Sequence, residues 1–189
     1  QFRRCSADLD NCECPRATIS ISVKPLPAAP GAVAFAICQK APAQSLTETG
    51  QNLTWYTDET GGTGTTAPPP VSTDQASQTT YYVSQRVDGC EGPRASLVAT
   101  VKPLPSTPGV TPKNVCRFAT PEFVSAVGEN LTWYSIDDLK LSSAPLINTD
   151  RGTTFSVKVT QTVNGCEGPK VTLTVNVLTT PAPTVTTPV

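Results

Sequence analysis

The chain repeats itself, and the repeat dictates its architecture. Lys24-Pro25-Leu26-Pro27, followed by Pro30-Gly31, returns as Lys102-Pro103-Leu104-Pro105, followed by Pro108-Gly109, 78 positions on (24 to 102). At the same spacing Cys38 maps onto Cys116 and Gly50 onto Gly128. Asn52-Leu53-Thr54-Trp55-Tyr56 maps onto Asn130-Leu131-Thr132-Trp133-Tyr134. Further along, Gly89-Cys90-Glu91-Gly92-Pro93 meets Gly165-Cys166-Glu167-Gly168-Pro169 at a spacing of 76 (90 to 166). A net two-residue deletion in the loop-rich middle of the second copy accounts for the change. The 189 residues therefore hold two tandem modules of about 75–80 residues each.

A third, partial copy precedes them. Cys12-Glu13-Cys14-Pro15-Arg16-Ala17 leads to Lys24 as Cys90-Glu91-Gly92-Pro93-Arg94-Ala95 leads to Lys102, with the same 12-residue step from cysteine to lysine (12 to 24, 90 to 102). Residues 12–24 read as the final strand of a module whose body residues 1–11 do not supply. The expected organisation is a stub (1–24), two modules (25–103 and 104–178) and a Thr/Pro-rich tail (179–189). The chain opens at Gln1 and not at a methionine, which reads as a processed form or an excerpt.

Periodicity makes the modules all-β. Leu53 and Trp55 alternate with Thr54 and Tyr56, the period of a half-buried strand. Tyr81, Val83 and Val87 share a face, as do Phe155, Val157, Val159 and Val163. The last strand alternates Leu97, Ala99, Val101, then Leu173, Val175, Val177; in the stub these positions are Ile19, Ile21 and Val23. Asp88-Gly89 and Asn164-Gly165 are turn dipeptides, because glycine accepts positive φ without a Cβ clash. The Pro-Leu-Pro segments lack amide donors and stiffen φ, which suits short linkers between modules.

Composition narrows function. Charged residues are 15% of the chain and the net charge is −1, so no basic field exists for nucleic acid or an anionic membrane. No apolar run reaches the ~18 residues that span a bilayer. The chain has no histidine, which removes every mechanism built on an imidazole base and the commonest metal ligand. Carboxylate-only catalysis, as in glycosidases, stays open. No catalytic residue, cofactor or metal is expected.

Seven cysteines in a Thr-, Pro- and Ser-rich chain point to an oxidising, extracellular setting. Each module carries one early and one late cysteine, so Cys38–Cys90 and Cys116–Cys166 are the expected bridges. A loop of this length contributes about 4 kcal/mol in the chain-entropy account. Trp55 and Trp133 are then expected to pack against or near these bridges, an exposed ligand platform being the alternative. Cys5, Cys12 and Cys14 remain, and three cannot pair among themselves. Either truncation has orphaned one, or the N-terminal strand and its cysteine dock on a neighbouring subunit.

Other motifs have plain readings. Asp58-Glu59 and Asp137-Asp138 could contribute to a Ca²⁺ site but fall far short of its six to eight oxygens; solvated loop charge is the simpler reading. Asn52 and Asn130 each begin an N-glycosylation pattern, with turn closure as the alternative. Gly61-Gly62-Thr63-Gly64 lacks the lysine and helix of a phosphate cradle. Tyr56, Tyr82 and Tyr134 either pack across strands or form a sugar-stacking surface.

The Asn-Leu-Thr-Trp-Tyr strand, the Thr79-Thr80-Tyr81-Tyr82-Val83-Ser84-Gln85 strand and the Gly-Cys-Glu-Gly-Pro hairpin resemble the Ig-like modules of secreted and surface proteins of Bacteroidota, adhesion and gliding proteins among them. The resemblance covers residues 25–178 in two copies plus the 12–24 remnant. It departs at Cys14, which stands where the full modules have Gly92 and Gly168, and no C-terminal sorting domain is recognisable. It implies tandem immunoglobulin-like β-sandwiches, secretion, and service as a stalk, spacer or adhesive array without catalysis. The expected function is a structural protein of the cell surface, a stalk or a filament subunit that self-associates through its terminal strands and intermolecular disulfides. An adhesin recognising surface glycans is the alternative.

Overall fold

The computed structural model describes residues 18–179. The chain is all-β, with fourteen strands among these residues. In the first module they are β1 (Phe35–Cys38), β2 (Gln44–Ser45), β3 (Thr54–Tyr56), β4 (Pro70–Val71), β5 (Ser77–Ser84), β6 (Arg86–Val87), β7 (Cys90–Glu91) and β8 (Ala95–Lys102). In the second they are β9 (Lys113–Cys116), β10 (Thr132–Tyr134), β11 (Thr154–Thr160), β12 (Thr162–Val163), β13 (Cys166–Glu167) and β14 (Val171–Leu178).

Both modules build the same main sheet. Its order is β1-β8-β5-β3 in the first and β9-β14-β11-β10 in the second. The β5–β8 and β11–β14 pairs are antiparallel, and a short hairpin (β6–β7, β12–β13) leads from one strand to the next. β1 joins β8 in parallel, as β9 joins β14, because nearly the whole module lies between the paired strands. The opposite layer is thin: β2 with β4 in the first module, a single Phe123–Leu146 bridge in the second.

Alternation along the last strand fills each core. Leu97, Ala99 and Val101 point inward with Leu46, Trp55, Val71 and Val83. Leu173, Val175 and Val177 do so with Val124, Trp133, Ile147, Val157 and Val159. Trp55 and Trp133 are 3% and 6% exposed. Both are core residues, and neither core cluster contains a cystine.

The two in-module bridges read from the repeat do not form. Cys38 is joined to Cys166, 128 residues away and in the other module, with Cα atoms 5.6 Å apart. Cys90 and Cys116 are free. The register gives the reason. Cys38 lies opposite Lys102, the last residue of β8, whereas Cys90 precedes the first, Ala95. Seven strand steps at about 3.3 Å separate the ends of β8 by about 23 Å, and a disulfide spans Cα atoms about 4.4–6.8 Å apart. In the second module Cys116 lies opposite Leu178 while Cys166 precedes Val171, so the same obstacle applies.

Residues 18–23, expected as the final strand of a partial module, pair with no sheet, and Ile19, Ile21 and Val23 are 84%, 84% and 88% exposed. Cys5, Cys12, Cys14 and the tail from residue 180 lie outside the described residues.

Candidate functional site at the module junction

The chemistry of this chain concentrates at the poles of its sandwiches. Each module has an N-terminal pole, formed by the β6–β7 or β12–β13 hairpin, and a C-terminal pole, formed by the ends of β1 and β8 or of β9 and β14. At the junction the C-terminal pole of the first module meets the N-terminal pole of the second.

The hairpin is shaped by its turn. Asn164 (φ 52°) and Gly165 (φ 81°) are both left-handed, as are Asp88 (φ 49°) and Gly89 (φ 84°), the geometry that connects two strands without splaying them. The turn presents its backbone carbonyls outward. Lys102 Nζ donates to the Asn164 carbonyl at 3.1 Å, and Cys38 Sγ lies 3.7 Å from the carbonyl oxygen of Gly165. Cys166 is 1% exposed beneath them.

The linker is clamped as well. Gln161 Nε2 donates to the Ser106 carbonyl at 2.8 Å, and its Oε1 accepts from the Glu129 amide at 3.0 Å. Gly168 lies so close to the linker that a Cβ there would stand 2.9 Å from the Pro105 carbonyl oxygen. Only glycine leaves the linker room to seat. At the other pole the first linker sits on the first module in the same way: Lys24 Nζ donates to the Asp88 carbonyl at 3.3 Å and Gln85 Nε2 to that of Ala28 at 2.9 Å. A Cβ on Gly92 would come within 2.6 Å of the Pro27 carbonyl oxygen.

Residues 27–103 match the family model of an Ig-like domain, described as CHU_C associated. That interval runs from the seated linker through β8 and holds the whole first sandwich. Among solved structures, the chain is similar to Sidekick-1 immunoglobulin domains 1–4 at 11% identity, over 80% of this chain and 48% of that one, with a TM-score of 0.34. It is also similar to EC1-2 of human mucin-like protocadherin at 13% identity, over 80% and 98%, with a TM-score of 0.28. The chain thus spans about half the length of the Sidekick-1 chain. None of the curated proteins matches it.

Within each Ig-like module a carboxylate ties the tryptophan strand to the hairpin. Glu91 Oε1 accepts from Tyr56 Oη and Ser84 Oγ, both at 2.6 Å, and Oε2 accepts from Arg86 at 3.0 Å. In the second module Glu167 Oε1 accepts from Tyr134 Oη at 2.6 Å and Thr160 Oγ1 at 2.7 Å. Hydrogen bonds to the ionised form favour it. Those of Ser84 and then Tyr56 hold Glu91 below the usual carboxylate range, and those of Tyr134 and then Thr160 do so for Glu167. The Glu167 carboxylate in turn raises the Tyr134 phenol.

A depressed folded-state value stabilises above the unfolded one and is lost as pH falls through the folded value. The unfolding midpoint is therefore expected to hold from pH 7 to about pH 5, then to fall below the ordinary glutamate value of about 4.3. Chemical denaturation across this range, with Glu91→Gln and Glu167→Gln together, checks it. The double variant should be less stable at pH 7 and show a shallower acid decline; an unchanged decline would count against these networks.

These networks also occupy Tyr56 and Tyr134, two of the three aromatics read as a sugar platform. Arg94 stacks 3.3 Å above the Tyr56 ring and Lys170 4.1 Å from the Tyr134 ring centre. Tyr82 is half-buried beside Arg94 and Gly61, along a shallow hollow. The acidic pairs do not converge. Asp138 is held by Lys170 at 2.8 Å and Lys158 at 3.0 Å, which lower its pKa in that order. Asp58 accepts from Thr57 at 3.1 Å and lends its carbonyl to Arg94. Among the described residues no three acidic or cysteine side chains gather as a metal site.

Asn52 and Asn130 take positive φ and donate their side-chain amides to the carbonyls of Arg86 and Thr162, at 3.2 and 3.1 Å. They close turns. The junction itself was not read from the sequence, because in-module and between-module pairing repeat with the same period. The parallel register of β1 on β8 separates the two.

Proposed function

We propose that the chain is a non-enzymatic, extracellular structural protein, a rigid stalk or the subunit of a surface filament built from Ig-like modules joined end to end. The observation that carries this reading is the Cys38–Cys166 bridge between modules. A disulfide placed between domains does not complete either core; it fixes how one domain sits on the next. The clamped proline linker and the Lys102–Asn164 contact act in the same sense. Disulfides persist in oxidising compartments, which supports a location outside the cytosol. The lack of histidine and the capture of Asp138 by two lysines support a scaffold role over catalysis.

Antibody raised against the chain tests the location and role together. It should label intact, unpermeabilised cells of the producing organism in a band of constant height above the surface. Antigen released only on lysis would overturn the reading. The adhesin alternative predicts binding on a glycan array that is lost in Tyr82→Ala, the one tyrosine of the three whose ring and hydroxyl have no charged partner.

A further inference from the structure

The joined pole and the open poles are chemically the same. Cys90 is the repeat equivalent of Cys166, and Cys116 of Cys38. The covered members are sheltered: Cys166 is buried and Cys38 half-buried. The uncovered members, Cys90 and Cys116, are half-buried and exposed, and carry free thiols. Leucine at the linker follows the same rule. Leu104, at the joined pole, is half-buried, whereas Leu26, at the open one, is 70% exposed.

A second observation shows what the open N-terminal pole is shaped for. The Lys24–Asp88 contact, the Gln85–Ala28 contact and the close approach of Pro27 to Gly92 are already formed there. They match Lys102–Asn164, Gln161–Ser106 and Pro105–Gly168 at the joined pole. The linker is seated as if a sandwich preceded it. The residues leading into it, Ile19, Ile21 and Val23, carry the inward pattern of a final strand, yet are exposed. Their equivalents Leu97, Ala99 and Val101 are 2%, 1% and 3% exposed.

We propose that Cys90 and Cys116 are the two open halves of further junctions of the Cys38–Cys166 kind, each closed by a disulfide to another Ig-like module of this type. At the N-terminal pole that module is one whose final strand is residues 18–23. Parallel pairing as in β1–β8 then sets its own first-strand cysteine opposite Lys24 and next to Cys90, as Cys38 sits opposite Lys102 and next to Cys166. At the C-terminal pole a following hairpin brings its cysteine to Cys116. Every junction in such an array carries one bridge and no module carries an internal one. Each closure forms one S–S bond from two thiols; the two electrons and two protons pass to a small-molecule disulfide, which leaves as two thiols. This inference rests on the structural reading above.

Two insertions into the full chain test it. One places a second copy of residues 103–178 between Leu178 and Thr179, which continues the register because Leu178 is the equivalent of Lys102. The other places a copy of residues 25–89 between Asn11 and Cys12. In the first protein the inserted copy also carries Cys116→Ser, which removes its own unpartnered thiol, and Thr162→Ser, which gives its Cys166 peptide a distinct mass; in the second, the exposed Val33→Ile marks the inserted Cys38 peptide. Each protein is oxidised in glutathione disulfide, alkylated with iodoacetamide and mapped by peptide mass without reduction. The expected results are a Cys116 bridge to the inserted Cys166 in the first and a Cys90 bridge to the inserted Cys38 in the second. Alkylation of Cys116 or Cys90 in an inserted chain, or bridges internal to a module, would overturn the proposal. An inserted copy that fails to fold would also overturn it, since the pole then does not accept a module. The original Cys38–Cys166 bridge is read in the same maps. Its absence sinks the structural reading, whereas its presence beside alkylated Cys116 sinks this inference alone.

Discussion

Replacing Trp133 with alanine is expected to destabilise the second module by about 3–5 kcal/mol, the range for removing a large buried aromatic side chain. Trp133 is 6% exposed and packs in a cluster with Val124, Ile147, Val157, Val159, Leu173, Val175 and Val177. In an immunoglobulin variable or constant domain such a tryptophan rests on the inter-sheet disulfide. Among the described residues no bridge crosses the core, so the aromatic ring carries more of the contact between the layers. For a domain of this size each kcal/mol moves the midpoint by roughly 4–8 °C, and the loss is expected to unfold the second module near ordinary growth temperatures. Calorimetry of Trp133→Ala should show the second module's transition displaced by tens of degrees with the first module's largely in place. A shift of only a few degrees would mean that the core is held by something other than the tryptophan.

The second large effect concerns the junction. In Cys38→Ser the bridge to Cys166 is lost, and with it a closed loop of 128 residues. The chain-entropy model assigns about 5 kcal/mol to a loop of that length, as an upper figure. If one module unfolds while the other stays folded, the constrained segment is about half as long, and the same model gives about 4 kcal/mol. Both modules therefore lose stability in the variant, although neither loses an internal contact. The loss of orientation is as telling as the loss of stability. Spin labels on the two modules should report one narrow distance in the oxidised chain and a broad distribution in Cys38→Ser. Equal widths would show that the linker clamp alone sets the geometry.

Much of the fold was legible because it rests on periodicities of two kinds. The 78-residue repeat set the number of modules, and the alternation of Leu97, Ala99 and Val101, repeated at Leu173, Val175 and Val177, marked the strand that fills each core. The turns at Asp88-Gly89 and Asn164-Gly165 were readable because positive φ leaves a clear residue signature.

The disulfide was not readable, for a physical reason. A cysteine's position in the repeat says where it lies along the chain, not at which pole of the sandwich it ends. Cys38 and Cys90 sit in one module but at opposite ends of β8. Only the parallel register shows this, and parallel pairing between a module's first and last strands leaves little local trace. The hydrogen bonds of Glu91 and Glu167 were hidden likewise: Tyr56 and Glu91 lie 35 residues apart, and only the folded sheet brings them to 2.6 Å. The glycines at 92 and 168 were visible as part of a motif, but their role in seating the linker needed its path.

One covalent bond, Cys38–Cys166, fixes the junction, and one measurement reads it directly. The 189-residue chain by itself is refolded in glutathione, its free thiols are blocked, and it is digested and mapped without reduction. A linked peptide pair containing Cys38 and Cys166, with Cys90 and Cys116 carrying the blocking group, is the predicted result. Linked pairs containing Cys38 with Cys90 and Cys116 with Cys166 would contradict it, leaving two separately stapled sandwiches and no covalent junction.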